Sequence, residues 1–403
     1  MSLASILEAQ ESSISREVLL SFGTDPHSLF TKSSSDRWTL WRNALIHNYR
    51  QTSGTLEETF AELNKNSNRL LSDNDDDDAT VDDPLSPSGR WALRIHDREL
   101  LQDIQKDVDR LFTEEYKKTL SPIAVRILHL WAKLHESYSY RQGMHELLRP
   151  LLLLASAEGV LNLEYEVYFM FQGLMDELQA LYEHDTSRLH QFSNHELPLN
   201  KVCFDIHNTL LNRAAPDLKM KLDQLGIQPQ IFGIRWLRCL FAREFEDKYC
   251  FGFWDILFSH AFFEQKKASL IECASFFAVA MLLRVRWRIM HATSQTEALE
   301  PLLRYPPFKS DEEAIQLARQ AIQLRVLRNG PSPSKEVLNE EIMKQNRLGA
   351  RLGFLIGKLE AELIKENSNR NEDKILQLLA QAKQVQDVLL GRIAEEDCYW
   401  GEG

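Results

Sequence analysis

The stretch from Ser121 to His135 limits the possible folds more than any other, because it is apolar on nearly every side of a helix. Ser121 can cap this helix, and Pro122 suits its first position, where the backbone N–H would have no partner. A helix without a polar face has to be buried among other elements. We therefore predict a central helix, restarted at Ser121, around which the rest of the chain packs.

The spacing of apolar residues is typical of α-helices along most of the chain. Apolar residues three and four positions apart recur in residues 165–182, 200–225, 234–245, 253–263, 269–290 and 310–327. No sustained two-residue alternation and no Asn-Gly hairpin signal is present, so strands are not expected. The chain is predicted to be all-α.

Some helix boundaries can be predicted more closely. A serine run that begins at Ser33 precedes an aromatic helix. Asp97 is a candidate cap for a second helix, whose apolar stripe includes Ile104. The helix after Gly143 contains Pro150, which is expected to kink it or to end its first part.

Composition divides the chain into segments. Residues 1–27 carry little pattern, residues 28–327 form a multi-helical domain, and residues 328–335 are a linker rich in Pro and Ser. Inside the domain, residues 64–90 are polar and acidic. We expect a disordered loop there, because like charges repel and Pro, Ser and Gly cannot build a core.

The C-terminal segment, residues 336–398, has a different helical pattern. Its apolar residues alternate steps of four and three, which is typical of a coiled-coil seam. Polar residues 366–373 interrupt the seam. An antiparallel helical hairpin and a self-associating coiled coil, which would make a homodimer, are both compatible with this pattern.

Charge and composition exclude several classes of protein. The net charge of -12 argues against a nucleic-acid binder. The amino terminus lacks the basic and apolar regions of a secretory signal, and no apolar run reaches the roughly 20 residues of a spanning helix. The five cysteines are widely spaced, which favours buried thiols over disulfides or a metal cage. We expect a cytoplasmic chain with only peripheral membrane contact, made through partners.

Several familiar catalytic motifs are absent. There is no Gly-rich phosphate loop ending in Gly-Lys-Ser/Thr and no Gly-x-Ser-x-Gly elbow. His145-Glu146 continues as Leu-Leu-Arg, so the second histidine of a zinc-protease helix is missing. No metal site of that kind is predicted.

Two polar stretches on either side of the central helix remain, one ending in Arg110 and one containing Gln142. Arginine and glutamine are the side chains that nucleotide-hydrolysing sites use to stabilise transition-state charge and to orient a water. Each residue alone also has a structural interpretation. Arg110 suits a helix C-terminus, where the macrodipole favours cations. Gln142 can satisfy backbone groups of its own loop.

Taken together, these stretches resemble the TBC domain, the GTPase-activating domain for Rab GTPases. The resemblance covers residues 28–325 and rests on four motifs in order: Arg37-x-x-x-Trp41, Ile104-x-x-Asp107-x-x-Arg110, Tyr140-x-Gln142-Gly143 and Phe253-Trp254-Asp255. It implies an arginine finger at Arg110 and a glutamine finger at Gln142, both supplied to the GTPase in trans. The arginine is worth ~10³–10⁵ in hydrolysis rate.

The same resemblance implies supporting roles. Asp107 is expected to steer the guanidinium of Arg110 or to satisfy nearby backbone, while Tyr140 and Gly143 hold the glutamine loop in position. Ile104 belongs to the apolar stripe beneath the first finger. Arg37 and Trp41 are expected to brace the floor of the site, and Trp254 and Asp255 to be structural.

The partners follow from the resemblance as well. The substrate is expected to be a Rab-family GTPase in the GTP-bound state, which carries the GTP and magnesium, so this chain needs no cofactor. Stretches such as Tyr140–Leu147 and Gln230–Phe245 resemble the member-5 subgroup. That subgroup is associated with late-endosomal Rab GTPases, the retromer coat and autophagy, which implies recruitment to endosomal membranes.

Two other functions compete with this interpretation. The same fold can serve as a non-catalytic Rab effector or coat-adaptor scaffold, or as a purely structural helical scaffold around the tail. Intact Arg110 and Gln142 favour the activator, because an adaptor would be free to lose them.

Overall fold

The computed structural model describes residues 16–25, 28–46, 55–69, 90–183, 197–264, 268–329 and 381–382. The chain divides into two compact units, Met1–Arg325 and Val326–Gly403. Within the described ranges the first unit consists of helices joined by turns and contains no strand, which confirms the all-α prediction. The predicted coiled coil lies outside the described residues, apart from helical Gln381 and Ala382.

The helices follow one another through the whole of the described chain. They are α1 Arg16–Thr24, α2 Ser34–Leu45, α3 Leu56–Arg69, α4 Arg90–Val108, α5 Glu114–Leu134, α6 Met144–Glu158, α7 Leu163–Leu178, α8 Pro198–Asp205, α9 Asn212–Ala214, α10 Pro216–Gln224, α11 Gln230–Arg238, α12 Asp247–Phe258, α13 Leu270–Arg284, α14 Arg286–His291, α15 Gln295–Leu303 and α16 Asp311–Asn329. A 3₁₀ turn covers Gln179–Tyr182, and π-helical segments cover Ile206–Leu211 and Ser259–Phe263.

Helix α5 is central, as predicted, and packs against α3, α4, α6 and α7. Its buried face includes Ile127, Leu128 and Trp131. The predicted start at Ser121 was wrong, because the helix begins at Glu114 after Thr113. Acidic residues in the first turn favour this earlier start, and an interior proline removes one backbone hydrogen bond without breaking the helix here.

Other predicted boundaries also differ from the structure. Asp97 lies inside α4 and accepts a hydrogen bond from His129 Nε2 over 2.9 Å, so it is not a cap. Helix α6 continues through Pro150 to Glu158, so the proline does not end it. Buried apolar neighbours on both sides of the proline outweigh the lost hydrogen bond.

The predicted acidic loop and linker are both shortened by helix. Residues 64–69 belong to α3, because Phe60 and Leu63 pack against the core and hold that helix in place. Residues 328–329 belong to α16. Residues 70–89 and 330–335 lie outside the described residues.

A buried charge cluster joins the start of the domain to α12. Ser33 caps α2, and its hydroxyl accepts a hydrogen bond from the backbone N–H of Asp36. Behind this cap, the fully buried carboxylate of Asp255 accepts hydrogen bonds from Arg37 Nε (3.1 Å) and Trp41 Nε1 (2.7 Å). Lys32 Nζ lies 3.6 Å from the same carboxylate. Burial raises the pKa of Asp255, and its cationic neighbours oppose that shift.

The described helices include none that is both long enough and apolar enough to cross a membrane. Four cysteines are described, all buried and unpaired: Cys203, Cys239, Cys250 and Cys273. Burial raises the pKa of Cys203, Cys239 and Cys273 to about 12, so these thiols are inert near neutral pH.

Candidate functional site

Arg110 lies in a turn just beyond the end of α4. The turn is closed by backbone hydrogen bonds from Asp109 N to Gln105 O (2.9 Å) and from Leu111 N to Val108 O (3.0 Å). Ile104 and Val108 are fully buried and fix the last turns of the helix on the core. The Arg110 side chain is exposed and forms no hydrogen bond or ion pair with any described residue. Its guanidinium is therefore free to bind another molecule.

A second arginine fixes this turn from below. Arg149 on α6 donates from Nε to the carbonyl of Leu111 over 3.2 Å. Its terminal nitrogens bind both carboxylate oxygens of Asp247, at the start of α12, with the longer contact at 2.9 Å. A bidentate arginine–carboxylate pair has a fixed geometry. The Arg110 turn is thus held to two other helices by one side chain.

Gln142 lies in the turn that leads into α6. The residue after it, Gly143, is the N-cap of the helix and has φ 108°, a conformation that L side chains rarely adopt. Gly143 is buried, and a Cβ placed on it would lie 3.5 Å from the Tyr182 hydroxyl and 3.6 Å from Cys239 Sγ. Gln142 itself is exposed, and its carboxamide forms no hydrogen bond with any described residue.

The two turns are joined by a hydrogen bond. The Tyr140 hydroxyl donates to Asp107 Oδ2 over 2.8 Å, and His145 Nδ1 lies 2.7 Å from the same hydroxyl. Because the tyrosine has one proton to donate, His145 must donate from Nδ1 to the tyrosine oxygen. Burial and the bond to Asp107 raise the pKa of Tyr140 far above its usual value, so the hydroxyl stays protonated.

The other residues predicted to support the site, Asp107, Arg37 and Trp41, have partners in two different places. The Asp107 carboxylate binds Tyr140, and the contact that the described residues show between Asp107 and Arg110 lies in the backbone, from Arg110 N–H to the Asp107 carbonyl over 3.3 Å. The carboxylate therefore does not hold the guanidinium, as one of the two expected roles would require. Arg37 and Trp41 lie in the buried cluster on Asp255. They contribute to the frame of the domain rather than to the exposed face of the two turns.

Helix α11 lies next to the glutamine turn. Arg235 on this helix binds Glu244 through two nitrogens, at 2.7 and 2.8 Å. Its guanidinium is therefore occupied by a partner within the same domain. Trp236 is fully buried. Arg238 donates from Nε to the Leu181 carbonyl over 3.1 Å, and its guanidinium carbon lies 5.4 Å from the centre of the Tyr182 ring.

Sequence reasoning missed His145 and Arg149. His145 was considered only as part of an incomplete zinc motif, and Arg149 has no neighbour in sequence that signals its role. Its acceptors are 38 and 98 residues away along the chain. His145 is detectable in principle, since it lies five positions after Tyr140 on a predicted helix.

Among the described residues, no group of three or more His, Cys, Asp or Glu side chains is placed to hold a metal ion. The site consists instead of two exposed, unpaired polar side chains on two turns fixed to each other and to the core. Such an arrangement is suited to completing a reaction centre on another molecule.

Comparison with known proteins identifies the class. The family model of the Rab-GTPase-TBC domain matches residues 43–290, more than half of the chain. The chain belongs to the Rab-GTPase-TBC domain family. The turns that carry Arg110 and Gln142, and the helix between them, lie inside the matched region.

Similar proteins and a solved structure agree with this assignment. Human TBC1 domain family member 5 is 29% identical over 298 residues, which cover 64% of this chain and 36% of the relative. Mouse TBC1 domain family member 13 is 28% identical over 141 residues, 34% of each chain. The chain thus matches only about a third of these relatives' length.

The fold is also that of a solved structure, the Ypt/Rab-GAP domain of Gyp1p. The TM-score is 0.57, and the superposition covers 79% of this chain and 95% of that one. At 18% sequence identity this likeness establishes the fold alone.

Proposed function

We propose that this chain accelerates GTP hydrolysis by a Rab-family GTPase in its GTP-bound state. The observation that carries the proposal is the pair of exposed, unpaired side chains, Arg110 and Gln142, on turns joined by the Tyr140–Asp107 hydrogen bond. Family membership supports the same class of partner. GTP and magnesium are carried by the GTPase, and this chain adds no cofactor.

In this reaction the activator has to supply positive charge and to orient the attacking water. Water attacks the γ-phosphorus, the bond to the β–γ bridging oxygen breaks, and GDP and phosphate leave. Arg110 enters the partner's site and stabilises negative charge on the transferred phosphoryl oxygens. This contribution is worth ~10³–10⁵ in rate, or roughly 4–7 kcal/mol of the barrier.

Gln142 has the complementary role of orienting the attacking water. Its carboxamide offers an acceptor for a water proton and donors for a phosphoryl oxygen. Since no described residue bonds either group, both are available to the partner. Gly143 lets the backbone approach the GTPase closely, and the Tyr140–Asp107–His145 contacts hold the turn before docking occurs.

Single-turnover GTP hydrolysis across a panel of purified Rab GTPases tests the proposal. Arg110→Ala should reduce the stimulated rate by at least about 10³-fold. Arg110→Lys should not restore it, because an ammonium lacks the planar fork. Gln142→Ala should reduce the rate by about 10²-fold, the effect of a misplaced water.

Matched controls are available on α9 and α10. The side chains of Arg213 and Gln224 are exposed and form no hydrogen bond or ion pair with any described residue, as is also true of Arg110 and Gln142. Arg213→Ala and Gln224→Ala should leave stimulation unchanged. If the wild type stimulates no Rab, or if the finger variants stimulate as well as the controls, the proposal is wrong. Binding without stimulation would instead support an effector or coat-adaptor role.

The cellular setting belongs to the same proposal. The member-5 resemblance leads us to propose a cytoplasmic protein recruited to endosomal membranes through partners, with retromer or autophagy factors among them. Cell fractionation with endosomal markers tests the location. Light scattering before and after truncation at Gly330 tests homodimer formation by residues 336–398, and an unchanged monomer mass would exclude it.

A further inference from the structure

The glutamine turn is flanked by two arginines that lack acidic partners. Arg141 immediately precedes Gln142, and Arg238 on α11 places its Cβ 3.9 Å from the position that a Cβ on Gly143 would occupy. Neither guanidinium forms an ion pair with a described residue. Ten other arginines form ion pairs among the described residues, for example Arg42 with Glu166 and Arg126 with Glu164. The cluster therefore stands out in a chain of net charge -12.

Arg141 is the less satisfied of the two. Its Nε is buried and has no hydrogen-bond partner. Burial lowers the pKa of Arg141, and the positive charge of Arg238 lowers it further. The carboxylate of Glu146, one turn into α6, is engaged by Arg243 Nε at 3.3 Å. Among the described residues, nothing neutralises these two like charges, an arrangement that costs stability unless an external anion binds.

The fixed geometry of Arg238 indicates what kind of anion this is. Its Nε is committed to the Leu181 carbonyl and its guanidinium lies near the Tyr182 ring, so the free donors are the terminal nitrogens at a fixed place. A side chain held in this way cannot extend into a partner's nucleotide pocket as the unattached Arg110 can. It can meet a group on the partner's surface that arrives when the two proteins dock.

We infer that Arg141 and Arg238 form a docking site for a carboxylate side chain on the GTPase, next to the nucleotide site that Gln142 enters. The inference rests on the proposed function for the identity of the partner. A planar guanidinium pair matches a carboxylate in geometry and charge. Binding the carboxylate neutralises the cluster and stabilises the docked complex of the two proteins.

Steady-state hydrolysis by the most strongly stimulated Rab, with KM and kcat measured separately on the full chain, tests this site. Arg141→Gln should raise KM by about 10-fold and leave kcat within about twofold, and Arg141→Glu should raise KM by about 100-fold. The Arg141→Gln, Arg238→Gln double variant should weaken the dependence of kcat/KM on salt. Arg213→Gln and Arg213→Glu are the matched controls and should change none of these values.

A charge swap identifies the partner group. Acidic residues around the nucleotide site of the GTPase are replaced singly by lysine. One of these substitutions should restore the KM of Arg141→Glu and not improve Arg213→Glu. Melting curves check that each variant is folded, and Arg141→Gln is the safest substitution because its side chain satisfies no other group.

The outcomes separate this inference from the proposed function. Normal stimulation with an unchanged KM in the double variant overturns the docking site and leaves the activator role intact. A fall in kcat at unchanged KM means that the arginines contact the nucleotide, which also overturns it. Binding to a GTP-analogue-loaded Rab that depends on Arg141, without any stimulation, supports the docking site and refutes the activator role. Failure to bind or stimulate any Rab refutes both.

Discussion

The Tyr140 hydroxyl donates a hydrogen bond to Asp107 over 2.8 Å, and this single contact joins the turn that carries Gln142 to the turn that carries Arg110. The two residues are separated by 33 positions and by the whole of α5. His145 binds the same hydroxyl from the other side. The Tyr140 side chain and its two partners thus help to set the relative position of the Arg110 and Gln142 turns.

Replacing Tyr140 with phenylalanine should separate positioning from chemistry. Tyr140→Phe keeps the ring and leaves Asp107 and His145 without their shared partner, which costs about 1–3 kcal/mol of stability. We expect stimulated hydrolysis to fall about 10-fold or more, since both fingers lose their common anchor. Single-turnover kinetics and urea unfolding measure the two effects.

The neighbouring tyrosine is the control for this change. Tyr138 lies in the same loop, is partly buried, and its hydroxyl forms no hydrogen bond with any described residue. Tyr138→Phe should leave both stability and stimulation unchanged. Equal losses in the two variants would show that the Tyr140–Asp107 bond has no special part in positioning.

Gly143→Ala should disturb the glutamine turn through the backbone alone. A Cβ fits the available space, with its nearest neighbour at 3.5 Å, but φ 108° is unfavourable for alanine and costs roughly 1–3 kcal/mol. The turn will relax and move Gln142, so stimulation should fall by about 10-fold or more. Gly159→Ala is the control, because Gly159 ends the same helix at φ 72° with no atom within 4 Å. It should lose stability and keep its stimulation per folded molecule.

Asp255→Asn should destabilise the domain without altering the fingers. The substitution leaves Arg37 buried without a counter-charge, which costs about 3–5 kcal/mol. Urea unfolding measures the loss, and the fraction that stays folded should stimulate normally. Asp311→Asn removes the charge that pairs with Lys248 at the surface and should cost much less, because solvent screens an exposed ion pair. A loss for Asp255→Asn no larger than that of Asp311→Asn would contradict the importance of the buried cluster.

His260 should make stability depend on pH. Burial lowers its pKa from 6.5 in the folded state, although its contact with Glu264 opposes the shift. The unfolded chain therefore binds a proton below about pH 6.5 that the folded chain does not, so the free energy of unfolding falls as the pH falls. The slope from this group is at most about 1.4 kcal/mol per pH unit.

Urea unfolding at pH 7.5, 6.5 and 5.5 measures that slope. His260→Gln should flatten it, whereas His291→Gln, at an exposed position, should leave it close to the wild-type value. A His260→Gln slope equal to that of the wild type would mean that this histidine is not the group responsible.

Periodicity predicted the helical class and the central helix, because burial depends mainly on which face of a helix is apolar. The predicted helix start at Ser121 and a helix end at Pro150 were wrong, because a local preference for a start or a stop is weaker than packing along the rest of the helix. The exposure of Arg110 and Gln142 also agrees with the spacing, since both lie outside the apolar stripes.

The contacts around the fingers could not be predicted in the same way. The acceptors of Arg149 come from α12 and from the turn after α4, and no spacing rule relates residues so far apart. Asp107 was expected to steer Arg110 or to satisfy nearby backbone, yet its carboxylate binds Tyr140, which comes from beyond the next helix. Tertiary geometry decides between such partners.

The Arg149 clamp has a consequence for how the chain is made. Asp247 is synthesised 98 residues after Arg149, and both finger motifs have by then left the ribosome. Until α12 follows, Arg149 lacks the carboxylate that fixes its guanidinium beside the Leu111 carbonyl. Fragments that end before Asp247 contain Arg110 and Gln142 and lack the carboxylate that holds Arg149 beside the Arg110 turn.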